Sequence, residues 1–255
     1  MANYTLIATS SFGLESVVAE ELRNLGYENL IIENGRVSFA GNEEDIVRSN
    51  IWLRTADRVL IKMAEFKATD FDALFHGTLN IVWENIIPVN GKMHVTGKSV
   101  RSKLASVRDC QAIVKKSVIK AMNRKYRLSQ FPETGPLYKI EVSLLKDIAT
   151  ITIDTTGQGL HKRGYREEAG EAPLRENLAA ALVLLSRWNP DRILADPMCG
   201  SGTLAIEAAL WAGNVPPGLF RERFGFERWT NFDGSAAAAL ADLRGDLRSR
   251  AHGQH

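Results

Sequence analysis

Apolar and polar positions along the chain change period several times, and each change marks an element. Tyr4 to Thr9 is a short run with Leu6, Ile7 and Ala8 at its centre and reads as a strand. Between residues 11 and 26, Leu14, Val17, Val18, Leu22 and Leu25 recur at helical spacing, while Glu15, Glu20 and Glu21 lie off that face. Gly26 closes the helix. Strands follow near Leu30–Glu33 and Arg36–Ala40, with Asn34-Gly35 between them as a two-residue hairpin turn. A helix over Asn42–Trp52 and a strand over Arg58–Phe66 complete a β-α-β-β-α-β order, which predicts a small ferredoxin-like unit.

From Asp70 a second pattern begins. Asp70 is placed to cap a helix carrying Phe71, Leu74, Phe75 and Leu79, and Lys92 to Val100 alternates as a strand does. Ser106 with Asp109 three residues on is a capping-box signature for a long helix. On that helix Val107, Cys110, Val114, Val118 and Ala121 form one face. Lys116, Lys120 and Arg124 recur every four residues on another, with Arg108, Lys115 and Arg127 close by. Strands over Tyr138–Leu145 and Ile148–Thr155, joined by the turn Lys146-Asp147, end the pattern.

Charge sharpens this picture. The chain carries a net charge of only +2, yet Lys92 to Arg127 holds eleven Lys or Arg and one acid, Asp109, while residues 1 to 60 sum to −4. Clustered cations release counterions when they meet phosphates, so the asymmetry favours a polyanionic partner over a merely solvated lysine face. The connection Gly97-Lys98-Ser99-Val100-Arg101-Ser102-Lys103 is itself basic and rich in small hydroxyls. Lys98, Arg101, Lys103, Arg108, Lys115, Lys116, Lys120 and Arg124 are therefore the candidate RNA contacts.

The third pattern starts with Gly157-Gln158-Gly159-Leu160-His161-Lys162-Arg163-Gly164-Tyr165-Arg166, too polar for a core element, which reads as a linker or hinge. A helix then opens at Glu171-Ala-Pro173 and runs to Arg187, with Pro173 where a first turn tolerates it. Arg192 to Asp196 reads as a strand ending at an acid, followed by the glycine loop Pro197-Met198-Cys199-Gly200-Ser201-Gly202-Thr203 and a helix through Leu204, Ala208 and Trp211. Glycines at a strand-to-helix turn let backbone approach a ligand, and the helix start leaves N–H groups unpaired. On spacing alone this is a cofactor loop or a plain tight turn. No Lys follows Gly-Ser-Gly as a P-loop requires, and Thr203 stands where G-x-G-x-x-G would continue, which disfavours nucleoside triphosphates and dinucleotides.

Asp196-Pro-Met-Cys-Gly-Ser-Gly-Thr203 with the following Ile206-Glu-Ala-Ala209 resembles the first motif of class I S-adenosylmethionine (SAM) dependent methyltransferases. It is most similar to THUMP-containing RNA methylases that modify a guanine N2 in 23S ribosomal RNA. The resemblance implies that Asp196, Pro197, Met198, Cys199, Gly200, Ser201, Gly202 and Thr203 hold SAM. It implies direct methyl transfer to an exocyclic amine, without a metal. Residues 1 to about 155, and above all Gly97–Val100 with Cys110-Gln-Ala-Ile-Val-Lys-Lys116, resemble the RNA-binding part of such proteins, which implies structured RNA, 23S rRNA, as partner. A His-Lys-Arg-Gly-Tyr-Arg run precedes the methylase domain in that family and lies near its cleft, so Lys162, Arg163 and Arg166 join the candidate RNA contacts. Related motifs occur in DNA amino-methylases, and a vestigial cofactor loop on a non-catalytic RNA-binding protein is the rival from another class.

The expected fold is α+β followed by α/β. A ferredoxin-like domain spans 1–66, a THUMP domain 67–156, a linker 157–172 and the beginning of a Rossmann-like methyltransferase domain 173–255. A complete domain of that kind has about seven strands, and only one is legible here. The acid expected on the second strand and the Asn-Pro-Pro-Tyr-like motif that holds the target base are missing. The catalytic residues therefore cannot be named, and the chain alone is expected to bind RNA without transferring methyl groups.

Composition sets the remaining bounds. At 255 residues and 45% hydrophobic the chain can fill proper cores, and no run approaches the ~18 apolar residues of a membrane span. The N-terminus lacks signal-peptide form, so a cytoplasmic protein is expected. Two cysteines, Cys110 and Cys199, exclude a disulfide framework and a four-cysteine zinc site.

Overall fold

The computed structural model describes residues 3–166, 174–229, 238 and 240–246. They fall into two units. One comprises residues 1–59 with 158–224 and 234–255; the other comprises 60–157 with 225–233.

In the first unit, β1 (Tyr4–Thr9) pairs antiparallel with β3 (Arg36–Gly41) in the register Tyr4↔Gly41 to Thr9↔Arg36, and β2 (Ile31–Glu33) pairs with the other edge of β3. The hairpin turns through Gly35 at φ 74°, a conformation that glycine adopts without strain. Helix α1 (Glu15–Asn24) is shorter than the expected 11–26, because Ser11–Leu14 forms a turn with Gly13 at φ 90°. Its Val17, Val18, Ala19 and Leu22 are buried. Helix α2 (Glu43–Trp52) opens on a reciprocal capping box in which Asn42 Oδ1 accepts from Asp45 N and Asp45 Oδ2 accepts from Asn42 N. The expected strand over Arg58–Phe66 forms as β4 (Arg58–Lys67), which from Leu60 on belongs to the second unit, and Asp57 N donates to the Thr9 carbonyl just ahead of it. The β-α-β-β-α-β order holds.

Two further helices belong to this unit, α5 (Glu176–Leu185) and α6 (Thr203–Ala212), and they pack on each other. Ala181 of α5 joins Leu14 and Val17 of α1 in one buried cluster, with Leu184 against it. The expected start of α5 near Glu171 lies outside the described residues, as does most of the polar helix expected over 233–250, of which 240–246 are helical. The strand expected over Arg192–Asp196 is not formed. A strand is stabilised by its ladder, and no described segment runs alongside this stretch; Ile193 is left 96% exposed.

In the second unit the sheet order is β4, β7 (Ile148–Asp154), β6 (Leu137–Leu145) and β5 (Lys92–Val100). β4 and β6 flank β7 antiparallel, with a bulge between Lys62 and Ala64, while β5 runs parallel to β6. A parallel neighbour requires a crossover, supplied by α4 (Val107–Tyr126). The β6–β7 turn has Lys146 and Asp147 at φ 50° and 64°, positive at both central residues as a primed hairpin turn requires. Helix α3 (Phe71–Leu79), capped by Asp70 Oδ1 accepting from Ala73 N at 2.7 Å, packs on α4, where Ser117 Oγ donates to the Phe75 carbonyl. A Cβ on Gly97 of β5 would approach Val142, Val107 and Gln111 to 3.0–3.3 Å, so glycine there permits the close seat of α4 on the sheet.

Candidate functional sites on the glycine loop and the basic helix

The glycine loop is shaped by its own backbone. Asp196 Oδ1 accepts from Met198 N at 3.2 Å, Gly202 N donates to the Cys199 carbonyl at 2.7 Å, and Gly200 and Gly202 sit at φ 53° and 72°. Gly202 is the N-cap of α6 and therefore supplies no side-chain acceptor. The first N–H groups of that helix have no intrahelical partner, and their partial positive charge faces the loop. A Cβ on Gly200 would meet nothing within 4 Å, so the left-handed backbone is what favours glycine there. Cys199 is exposed, and among the described residues no cluster of His, Cys, Asp and Glu could hold a metal.

The 157–166 segment is tied to α6 by charged side chains. Arg163 is 1% exposed: its Nε donates to Glu207 Oε1 at 3.3 Å, its Nη1 to the Leu160 carbonyl at 2.9 Å and its Nη2 to the Arg54 carbonyl. Tyr165 Oη donates to the same Glu207 oxygen at 3.0 Å, and burial together with that carboxylate pushes the phenol pKa up. Arg166 Nη2 donates to Thr203 Oγ1 at 2.7 Å and its Nε pairs with Glu176 at 3.6 Å, joining the linker, the start of α5 and the first residue of α6. Arg221, also buried, donates to the carbonyls of Gln158 and Gly159. Residues 160–166 are therefore fastened like a strap.

Two of the candidate RNA contacts change meaning. Arg163 is corrected: a side chain sealed against Glu207 and two carbonyls cannot reach RNA, and it serves the fold. Arg166 is half-buried and committed to Thr203, Leu174 and Glu176. Lys162 is exposed.

On the second unit, Lys98, Arg101, Lys103, Arg108, Lys116, Lys120 and Arg124 are exposed, while α4 buries Cys110, Val114, Ser117, Val118, Ala121 and Met122. Lys115 is half-buried; its Nζ pairs with Glu133 at 2.9 Å and reaches the Met93 carbonyl, which leaves it less available than its neighbours. Lys98 pairs with Glu141 and Lys120 lies over the Phe75 ring. The basic connection is built: Asp147 Oδ1 accepts from Lys103 N at 2.7 Å, Ser102 Oγ accepts from Asp147 N at 2.9 Å, and Arg101 takes φ 50°. Ser106 Oγ accepts from Asp109 N at 3.4 Å, one half of the expected capping box.

Glu207 was not legible as a site residue beyond one signal, an acid four residues after Thr203 on an otherwise apolar helix. The sequence allows Trp52 and Arg54 an RNA contact while favouring a core position, and Arg54 is buried.

Residues 5–60 match the RlmL ferredoxin-like domain, 68–154 the THUMP domain and 163–253 the RMKL-like methyltransferase domain. The chain thus matches the three domain models one after another. It is 54% identical over 231 residues to the protein named "Putative RNA methyltransferase YpsC" of Bacillus subtilis (strain 168), covering 90% of this chain and 60% of that one. It is similar to the structure of a "predicted N6-adenine-specific DNA methylase" from Listeria monocytogenes, at 49% identity and a TM-score of 0.91 over 98% of this chain and 64% of that one. SMU.472, described as "a putative methyltransferase complexed with SAH", matches at 45% identity and a TM-score of 0.90, covering 98% of this chain and 65% of its own. The chain thus spans under two thirds of the length of these relatives.

Proposed function

We propose that the chain is the RNA-binding and cofactor-holding part of a SAM-dependent RNA methyltransferase whose target is a guanine N2 of 23S rRNA. The observation that carries the reading is the Asp196–Thr203 loop, in which two left-handed glycines lead into a helix with no side-chain cap. Such an end presents N–H donors to a carboxylate, and the loop leaves open space at Gly200. The SAH complex of SMU.472, a relative at 45% identity, supports the choice of cofactor. SAM supplies a methyl group activated on a sulfonium. The backbone N–H groups at Thr203 to Ala205 would hold its methionine carboxylate, and Asp196, oriented by Met198 N, would accept from its polar hydrogens. Arg166, through Thr203 Oγ1, fixes the first turn of α6. The exposed cations of α4 and its preceding connection would neutralise RNA phosphates. The reading includes a protein of the cytoplasm.

Equilibrium dialysis of labelled SAM, alongside titration with folded ribosomal RNA, tests this. RNA bound by the native chain and cofactor retention lost in Asp196→Ala are the expected result. Absence of both SAM and RNA binding would overturn the reading as a whole. The Listeria relative's description gives DNA as a second reading; tighter binding of DNA than of folded RNA of matched sequence would support it, and equal binding would mean an unspecific cationic surface.

A further inference from the structure

The first unit contains a cavity of about 370 Å³ that belongs neither to the glycine loop nor to the basic helix. Its size is that of a small-ligand site. Two tryptophans, Trp52 at the end of α2 and Trp211 near the end of α6, contribute aromatic walls. Two arginines, Arg48 and Arg54, and the carboxylate Glu21 line it as well, with the amides of Asn24 and Asn214 and the apolar Leu25 and Leu184. Asn214 follows α6 in a left-handed conformation, φ 49°.

Arg54 is set firmly in place. Its backbone N–H and that of Thr55 donate to the two oxygens of Glu21 at 2.7 and 3.0 Å, and its Nη2 donates to the Val215 carbonyl at 2.9 Å. The residue is only 6% exposed and its Nη1 is buried, so Arg54, set against the Glu21 carboxylate, backs the cavity wall and offers no accessible donor there. Arg48 is exposed, one turn before Trp52 on the same helix face.

We propose that this cavity takes one unpaired nucleobase of a bound RNA, stacked against tryptophan and read through acceptor atoms facing Arg48. Aromatic faces hold any base, guanidinium donors match ring nitrogens and carbonyl oxygens, and amides match the mixed donor and acceptor edge. An apolar peptide side chain would leave the exposed Arg48 and both amides without partners, so a nucleobase suits the lining better. The inference rests on the RNA-binding reading above, and it adds a single-strand contact on a different unit from the basic helix.

The test titrates the whole 255-residue chain with fluorescein-labelled RNA that carries a single-stranded 5-bromouridine tail. RNA anisotropy, tryptophan quenching and photo-crosslink position are read together. Saturable quenching and a crosslink to Trp52 or Trp211 are expected. Arg48→Glu, a change at an exposed position, should reduce quench amplitude and crosslink yield by about tenfold, the size expected when a stacked base is no longer held. Lys116→Glu/Lys120→Glu/Arg124→Glu should shift the titration to higher RNA concentration and keep the amplitude. RNA binding without quenching or crosslinks overturns the cavity assignment and leaves the RNA reading standing. Loss of all RNA binding removes that reading. Quenching by free mononucleotides but not by RNA identifies a nucleotide site and overturns the RNA source. Equal quenching by an unrelated peptide overturns the nucleobase.

Discussion

Arg163 Nε lies 3.3 Å from Glu207 Oε1 with the side chains 1% and 0% exposed, so the linker and α6 are joined by an ion pair sealed from water. The pair is incompletely satisfied: Glu207 Oε2 has no hydrogen-bond partner among the described residues, although Tyr165 shares Oε1. Taking two charges out of water costs several kcal/mol, which a good partner geometry offsets only in part. The strap it fastens leads, through Arg166 and Thr203, to the glycine loop.

Removing one partner should cost more than the pair contributes. Glu207→Ala leaves a guanidinium buried without its counter-charge and is expected to destabilise by about 3–5 kcal/mol. Adding Arg163→Met should recover only part of this, since the carbonyls of Leu160 and Arg54 then lose their donor. Urea unfolding of the two variants decides it. A double variant as stable as the native chain would show that the backbone hydrogen bonds of Arg163 contribute nothing.

His161 should give the fold a pH dependence. Burial, the largest effect, pushes its pKa below the usual 6.5, and Glu176 and Asp57 only partly oppose this. The unfolded chain therefore takes up the proton first, and stability present above pH 6.5 is lost as pH falls through the folded value. His161→Gln should flatten the difference between unfolding midpoints at about pH 7.5 and 5.5. An unchanged difference in the variant would assign it to other groups.

Much of this was legible in the sequence, for a physical reason. Asn34-Gly35 dictates its turn locally, Asp70 caps the helix that follows it, and α4 buries the face marked by Cys110, Val114 and Val118. These features depend on neighbours within a few residues. Arg163 misled because the same run of cations that suits phosphate also suits a buried acid, and only the position of Glu207, 44 residues on, separates the two. The strand over 192–196 misled in the opposite direction: its pattern is correct for a strand, but a ladder is a property of two segments.

The cations of α4 should set both RNA affinity and its salt dependence. Lys116, Lys120 and Arg124 are exposed on one side of the helix. Each cation withdrawn from a phosphate should reduce the slope of log K against log salt by about 0.7 to 0.9. Lys116→Glu/Lys120→Glu/Arg124→Glu should therefore weaken binding at low salt and flatten the plot, whereas Arg163→Met, acting on a buried residue, should leave the slope unchanged. Filter binding over a salt series measures both. An unaltered slope in the triple variant would assign RNA binding to another surface.

The last expectation concerns the apolar surface beside the glycine loop. Leu178, Leu182 and Leu185 stand at i, i+4 and i+7 on α5, which places them on one helix face, and they are 37%, 45% and 56% exposed. Ile193 at 96% and Met198 at 89% add further apolar area on the same unit. Scattered exposed leucines are ordinary, but a leucine stripe followed by bare isoleucine and methionine is a surface that binds hydrophobic probes and other apolar surfaces. Leu182→Lys with Ile193→Glu should lower fluorescence of a bound hydrophobic dye and lower any light scattering on concentration. Stability should change by no more than about 0.5 kcal/mol, since neither side chain is in the core. A variant that unfolds more easily, with dye binding unchanged, would mean that these residues are packed in solution and that the apolar surface lies elsewhere.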